Sequence, residues 1–239
     1  MPDAPILRLR GLTRRYGGIT ALDDLDLDIA KGEVRGLIGP NGAGKSTLLD
    51  LLTGVTAPSQ GAILLDGKEI GGLPVFRRAE LGLARTFQTP QALGRMTVLD
   101  NVLVGRHTQT RAGLLQVLLR TPAARQEEES SRAAALDVLR ELGLTHRAAD
   151  PASALGLGER RLLDIARALA ARPRLLLMDE PAAGLTAADT TRLAEVVRTI
   201  NRAGVTVLLV EHDVQLVLRL AHRVLVLDRG RRLAEGTPQ

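Results

Sequence analysis

Apolar and polar positions along this chain follow two kinds of alternation, separated by a stretch with a different rhythm. Ile6–Arg10 and Leu25–Ile29 alternate apolar with polar residues, the period of two that marks strands with one covered face. Val34–Gly39 is a short apolar run closed by glycine, and Lys45–Leu52 takes helical spacing straight out of a glycine-rich turn. Ala62–Leu65 followed by Asp66-Gly67 reads as a strand entering a tight turn. From about residue 91 to 158 the spacing turns helical, over Thr97–Val104 and Ser130–Leu142, with negative charge gathered at Gln126–Glu129. No strand is expected there.

Beyond residue 158 the pattern alternates again. Helices are expected over Glu159–Ala171, Asp189–Arg202 and Val214–Ala221, and strands over Leu175–Met178, Val205–Val210 and Val224–Leu227. Continuous apolar strands between amphipathic helices imply a mainly parallel sheet covered on both faces. The expected organisation is a single α/β domain. Its core runs over 1–90 and 159–239, and a helical lobe of about 91–158 is inserted between them.

Composition narrows the picture without changing it. The chain has 239 residues, 45% of them apolar and 25% charged, as in an ordinary globular protein. It has no cysteine, which excludes disulfides, and only four histidines, so structural zinc is not expected. The N-terminal MPDAPILRLRGL carries arginines within its apolar stretch and is not a signal peptide. The longest uncharged apolar stretch, Ala112–Leu119, is bracketed by Arg111 and Arg120 and falls far short of a membrane span, which needs roughly twenty residues. The net charge is +5, but the arginines are scattered, and Tyr16, Phe76 and Phe87 are the only aromatics. Nucleic-acid binding is therefore not expected.

The candidate chemistry begins at Gly39–Ser46, GPNGAGKS, which satisfies G-x-x-x-x-G-K-[ST]. Glycines let successive backbone N–H groups turn inward as an anion nest, and the following helix adds its positive end. Gly39, Pro40, Asn41, Gly42, Ala43, Gly44, Lys45, Ser46 and Thr47 are therefore expected to cradle the phosphates of ATP. Lys45 would pair with the β- and γ-phosphates, and the Ser46 hydroxyl would ligate Mg²⁺. A second acidic site is expected at the end of another buried strand, and LLLMDE supplies Asp179 to hold Mg²⁺ through water and Glu180 to polarise the attacking water.

With these motifs in place, the chain resembles the ATP-binding cassette (ABC) transporter nucleotide-binding subunits over almost its whole length. The resemblance implies a P-loop NTPase core, an N-terminal antiparallel β subdomain and an inserted α-helical subdomain. It implies that Tyr16 stacks on adenine, that Gln88 in RTFQTPQ senses Mg²⁺ and water, and that His212 in LLVEHD contacts the γ-phosphate. The signature segment LGLGER would present Gly156, Gly158 and Glu159 to nucleotide bound by an opposing subunit. Gly156 stands where the family usually has serine, so one hydroxyl is absent. In AAGLT, Thr186 stands where many members have aspartate, and its expected local role is a helix N-cap with Asp189 three residues on.

RTFQTPQALGRMTVLDNVLVGRH, ERRLLDIARALAARPRLLLMDEPAAGL and VEHDVQLVLRLAHRVLVLDRG resemble the ATPase subunits of branched-chain amino acid importers. That implies ATP hydrolysis coupled to transport by a pair of ATPase subunits. Two membrane permease subunits and, indirectly, a periplasmic or extracellular binding protein would complete the assembly, at the cytoplasmic face of a bacterial inner membrane. Another cargo (urea, other amino acids, exported lipopolysaccharide), a non-transport ABC ATPase and a degenerate regulatory partner are the alternative readings.

Overall fold

The computed structural model describes residues 4–88, 93–107 and 121–238. The apolar stretch Ala112–Leu119 lies outside the described residues. The chain divides into two compact units, one of residues 1–88 with 174–239 and the other of residues 89–173.

The first unit holds two sheets. β1 (Leu7–Tyr16), β2 (Ile19–Ile29), β4 (Gln60–Leu65) and β5 (Lys68–Glu69) form an antiparallel sheet in the order β2-β1-β4-β5. The alternation read from sequence is its buried face: Leu7, Leu9, Leu25, Leu27 and Ile29 are all buried. The second sheet has the order β10-β9-β3-β8-β7-β6, from β3 (Val34–Ile38), β6 (Leu83–Thr86), β7 (Leu175–Asp179), β8 (Thr206–Val210), β9 (Arg223–Asp228) and β10 (Arg231–Gly236). Its strands pair in parallel except β10 on β9, so the expectation of a mainly parallel sheet holds. All five residues of β7 and of β8 are buried, which is why those segments read as continuous apolar runs. The first unit also carries α1 (Lys45–Thr53), α2 (Val75–Glu80), α6 (Ala187–Arg202) and α7 (Val214–Leu220). Leu48, Leu49 and Leu52 of α1 join Leu7, Leu37 and Leu227 in one apolar cluster beneath the glycine-rich loop.

The pattern reading has no counterpart for β6, β10 and α2. β6 is only four residues long and has Arg85 inside it. β10 is an edge strand of mostly exposed residues and shows no apolar period. α2 is six residues long, with Val75 and Phe76 exposed.

The second unit contains α3 (Val98–Gly105), α4 (Pro122–Glu141) and α5 (Leu157–Ala170), and among its described residues no strand forms beyond one bridge between Thr97 and Pro151. Thr97 caps α3 by accepting the Asp100 N–H at 3.0 Å. The unit continues to Pro173, past the boundary near residue 158 drawn from the pattern, because α5 packs against α3 and α4.

Candidate functional site

The loop between β3 and α1 is held in a shape that only glycine permits at two points. Gly44 has φ of 103°, and a Cβ there would lie 2.6 Å from the Ala21 carbonyl oxygen. At Gly39 a Cβ would lie 2.2 Å from the Leu227 carbonyl oxygen. No side chain caps the N-terminus of α1 and no acid occupies its first turn, so its leading N–H groups remain available to an anion. The other end of α1 is fixed: buried Arg78 donates to the carbonyls of Leu51, Leu52 (2.9 Å), Gly71 (2.9 Å) and Leu73 (2.9 Å). A cation on the last carbonyls of a helix complements its dipole.

Residues 41–47, with Ala21 and Glu180, enclose a cavity of about 190 Å³. Lys45 is buried and donates from Nζ to the carbonyls of Gly39 (2.7 Å) and Pro40 (3.0 Å). Burial pulls its pKa below the ordinary lysine value, and the charges of Glu180 and Asp179 partly offset this.

The two acids expected after β7 have different surroundings. Asp179 is buried, and its Oδ2 accepts from Arg85 Nη2 at 2.8 Å. The same guanidinium reaches Asp50 on α1, Nη1 to Oδ1, at 2.6 Å. Glu180 has left the strand with φ of 45°, a conformation that costs a non-glycine residue roughly 1–3 kcal/mol and tends to collect at functional sites. Its N–H donates to Val210 O at 2.9 Å. Its Oε2 accepts from Gln88 Nε2 at 2.8 Å, and its Oε1 lies 2.6 Å from His212 Nε2. Glu180, Gln88 and His212, chosen from three separate motifs, thus meet around one carboxylate that also lines the cavity.

Beside His212, buried Glu211 accepts the N–H of Ala182 (2.6 Å) on one oxygen and that of His212 (3.2 Å) on the other. Burial pushes its pKa up despite these backbone bonds, and the charge of Glu180 adds to the rise.

Tyr16 is half-exposed at the end of β1, with the Arg14 guanidinium 4.4 Å from its ring centroid, and it does not line the cavity. In the second unit, Gly156 is the N-cap of α5, and its N–H donates to Glu159 Oε2 at 3.1 Å. Gly158 lies in the first turn of the same helix. Thr186 caps α6: its hydroxyl oxygen accepts the Asp189 N–H at 3.2 Å and donates to the Asp189 carboxylate at 2.7 Å. Arg85 and Glu211 were not among the residues chosen from sequence. Their signal was a charge embedded in, or directly closing, an apolar strand, which a buried sheet tolerates only with partners.

The family profile described as ABC transporter matches residues 22–183, well over half of the chain. The chain is 42% identical over 236 residues to the high-affinity branched-chain amino acid transport ATP-binding protein BraF of Pseudomonas aeruginosa, covering 98% of this chain and 92% of that protein. It is 40% identical to the LivG protein of the same description from Escherichia coli, with the same coverage. A solved ATP-binding cassette of an ABC transporter in its ADP conformation is 34% identical and superposes with a TM-score of 0.86 over 98% of this chain and 92% of that one. A dimeric cassette in a post-hydrolysis state with ADP and Pi is 25% identical, with a TM-score of 0.80 over 98% and 99%.

Proposed function

Because this chain belongs to the ABC transporter family, as a nucleotide-binding ATPase subunit, we propose that it energises the import of branched-chain amino acids. It does so as one of two cassettes docked on two membrane permease subunits at the cytoplasmic face of a bacterial inner membrane. A substrate-binding protein on the other side delivers the cargo. No helix among the described residues is long and apolar enough to cross a membrane. The observation that carries the catalytic reading is Glu180, which lines the cavity at the glycine-rich loop while Gln88 and His212 hold its two oxygens.

In this reading the N–H groups of residues 41–47 and the start of α1 receive the phosphates of ATP. Lys45 exchanges the carbonyls of Gly39 and Pro40 for phosphate oxygens. Tyr16 offers its exposed ring to the adenine. Glu180 takes a proton from the attacking water, and Gln88 and His212 keep its carboxylate aimed. The donor set fits Mg²⁺: the exposed Ser46 hydroxyl, the Gln88 side-chain carbonyl and the Asp179 carboxylate, acting through water, are hard oxygens and few. Among the described residues no group of three His, Cys, Asp or Glu could cage a metal, and Mg²⁺ usually keeps waters and phosphate oxygens instead. When bound, the ion would neutralise charge on the transferred phosphoryl group. The α5 N-terminus, with Gly156, Gly158 and Glu159, would meet nucleotide held by the second cassette. The dimeric form of a related cassette supports that arrangement.

The test is reconstitution. The chain is placed in proteoliposomes with a candidate permease pair and their binding protein, and ATP hydrolysis and uptake of labelled leucine are followed together. Leucine-dependent hydrolysis with uptake is the expected result. Hydrolysis that answers to urea or another cargo, and not to branched-chain amino acids, would overturn the cargo.

A further inference from the structure

We propose that Arg85 is the positioning residue that orients the metal-binding carboxylate of this site, by joining the two elements that carry its oxygen donors. The inference rests on the reading of Ser46 and Asp179 as the Mg²⁺ ligands and adds a residue to it. Ser46 and Asp50 are four residues apart on α1, so they share one face of that helix. Asp179 closes β7, and Arg85 lies beside it on β6, where Arg85 pairs with Leu177 and Thr86 with Met178. From that place the Arg85 fork divides. Nη1 reaches Asp50 at 2.6 Å and Nη2 reaches Asp179 at 2.8 Å. One side chain therefore ties the helix bearing Ser46 to the strand bearing Asp179.

The Arg85 side chain is only 9% exposed, and the ring of Phe87 lies 5.2 Å from its guanidinium. These contacts leave it little freedom. Binding Asp179 through Oδ2 fixes the direction of the other oxygen, Oδ1. A cation beside a metal site could instead repel Mg²⁺. Here Asp50 already balances the guanidinium charge, so orientation outweighs repulsion. Partners that orient metal ligands typically contribute about 10- to 100-fold to metal affinity. Lysine would keep the charge but not the fork that spans two carboxylates.

The test measures binding, not turnover. Equilibrium dialysis of a non-hydrolysable ATP analogue is run in EDTA and in saturating Mg²⁺, and the ratio of the two affinities reports the contribution of the metal. For Arg85→Ala, affinity in EDTA should stay within about twofold of wild type, while the Mg²⁺ enhancement falls by about tenfold or more. Arg85→Lys and Asp50→Asn should each lose part of the enhancement. Should Arg85→Ala not fold, as judged by circular dichroism, these two variants decide by the same ratio. An unchanged or larger enhancement in the variants overturns the role of Arg85, as does a parallel loss of affinity in EDTA. A wild-type chain that binds the analogue no better with Mg²⁺ overturns the metal reading itself, and is told apart because it needs no variant.

Discussion

His212 Nε2 lies 2.6 Å from Oε1 of Glu180. The two residues follow β7 and β8, neighbours in the parallel sheet, and Gln88 after β6 completes the set. Three adjacent strand ends therefore converge on one carboxylate, at the carboxyl edge where parallel α/β sheets bind their ligands. With both oxygens engaged, Glu180 cannot rotate without losing a bond, so its direction is fixed before substrate arrives.

Replacing His212 by alanine should free one oxygen of Glu180 while leaving the glycine-rich loop intact. ATP affinity in EDTA should change little, and turnover should fall by roughly 10²-fold or more. Glu180→Gln, which keeps the shape but not the base, should lose at least as much. Dialysis of ATP and single-turnover hydrolysis check the pair. Near-normal turnover of His212→Ala would remove His212 from the chemistry.

Two glycines of the same loop should respond differently to alanine. At Gly44 the added Cβ meets the Ala21 carbonyl at 2.6 Å and Leu22 Cδ2 at 2.9 Å, and φ is 103°. Gly44→Ala should shift the loop, lower stability by about 1–3 kcal/mol and abolish tight ATP binding. At Gly42, φ is 79° but nothing lies within 4 Å of the Cβ. Gly42→Ala should therefore cost only the backbone strain of that φ, about 1–2 kcal/mol. Urea denaturation and ATP dialysis separate the two, and equal losses would show that steric contact at Gly44 is not what matters.

The contrast with Arg85 shows what the sequence could and could not reveal. Glu180, Gln88 and His212 were legible because each lies in a motif of fixed order. Their meeting on one carboxylate was not legible, because it depends on the spatial order β8-β7-β6, which no local pattern encodes. Arg85 and Glu211 belong to segments whose apolar pattern a charge interrupts, and their roles come from partners far along the chain: Asp50 and Asp179 for one, Ala182 for the other. β10 was missed for a related reason. An exposed edge strand needs no apolar face, only backbone partners on β9.

Gly156→Ser should restore a hydroxyl at the start of α5 without steric cost. The backbone there, φ −66° and ψ 169°, is open to any residue, and the nearest atom to a new Cβ is Glu159 Oε2 at 3.9 Å. As an N-cap, serine improves on glycine by only a few tenths of a kcal/mol, about 0.3. A hydrogen bond to a charged phosphate across a cassette pair would add more, about 1.5–3 kcal/mol. The variant should melt like the wild type, yet form nucleotide-dependent dimers more tightly, by about tenfold or more. Size-exclusion chromatography with ATP on the Glu180→Gln background checks this, and unchanged dimerisation would mean the hydroxyl meets no phosphate.

Glu211 sets a pH dependence whose sign follows from its burial. Its carboxyl is held above 4.5, the ordinary glutamate value, chiefly because ionising it inside the protein is costly. As pH rises past that ordinary value, the unfolded chain releases the proton freely while the folded chain retains it, so the unfolded state gains. The stability Glu211 contributes is thus fully present at low pH and is lost as pH climbs through the raised folded value. Glu211→Gln removes the titration. It also presents an amide N–H₂ to one of the N–H groups of Ala182 and His212, so its baseline stability should be lower by about 1–3 kcal/mol. The difference in urea midpoint, wild type minus variant, should therefore be largest below pH 4.5 and shrink as pH rises above it. A difference that stays constant, or grows with pH, would show that Glu211 folds ionised and that its backbone bonds outweigh burial.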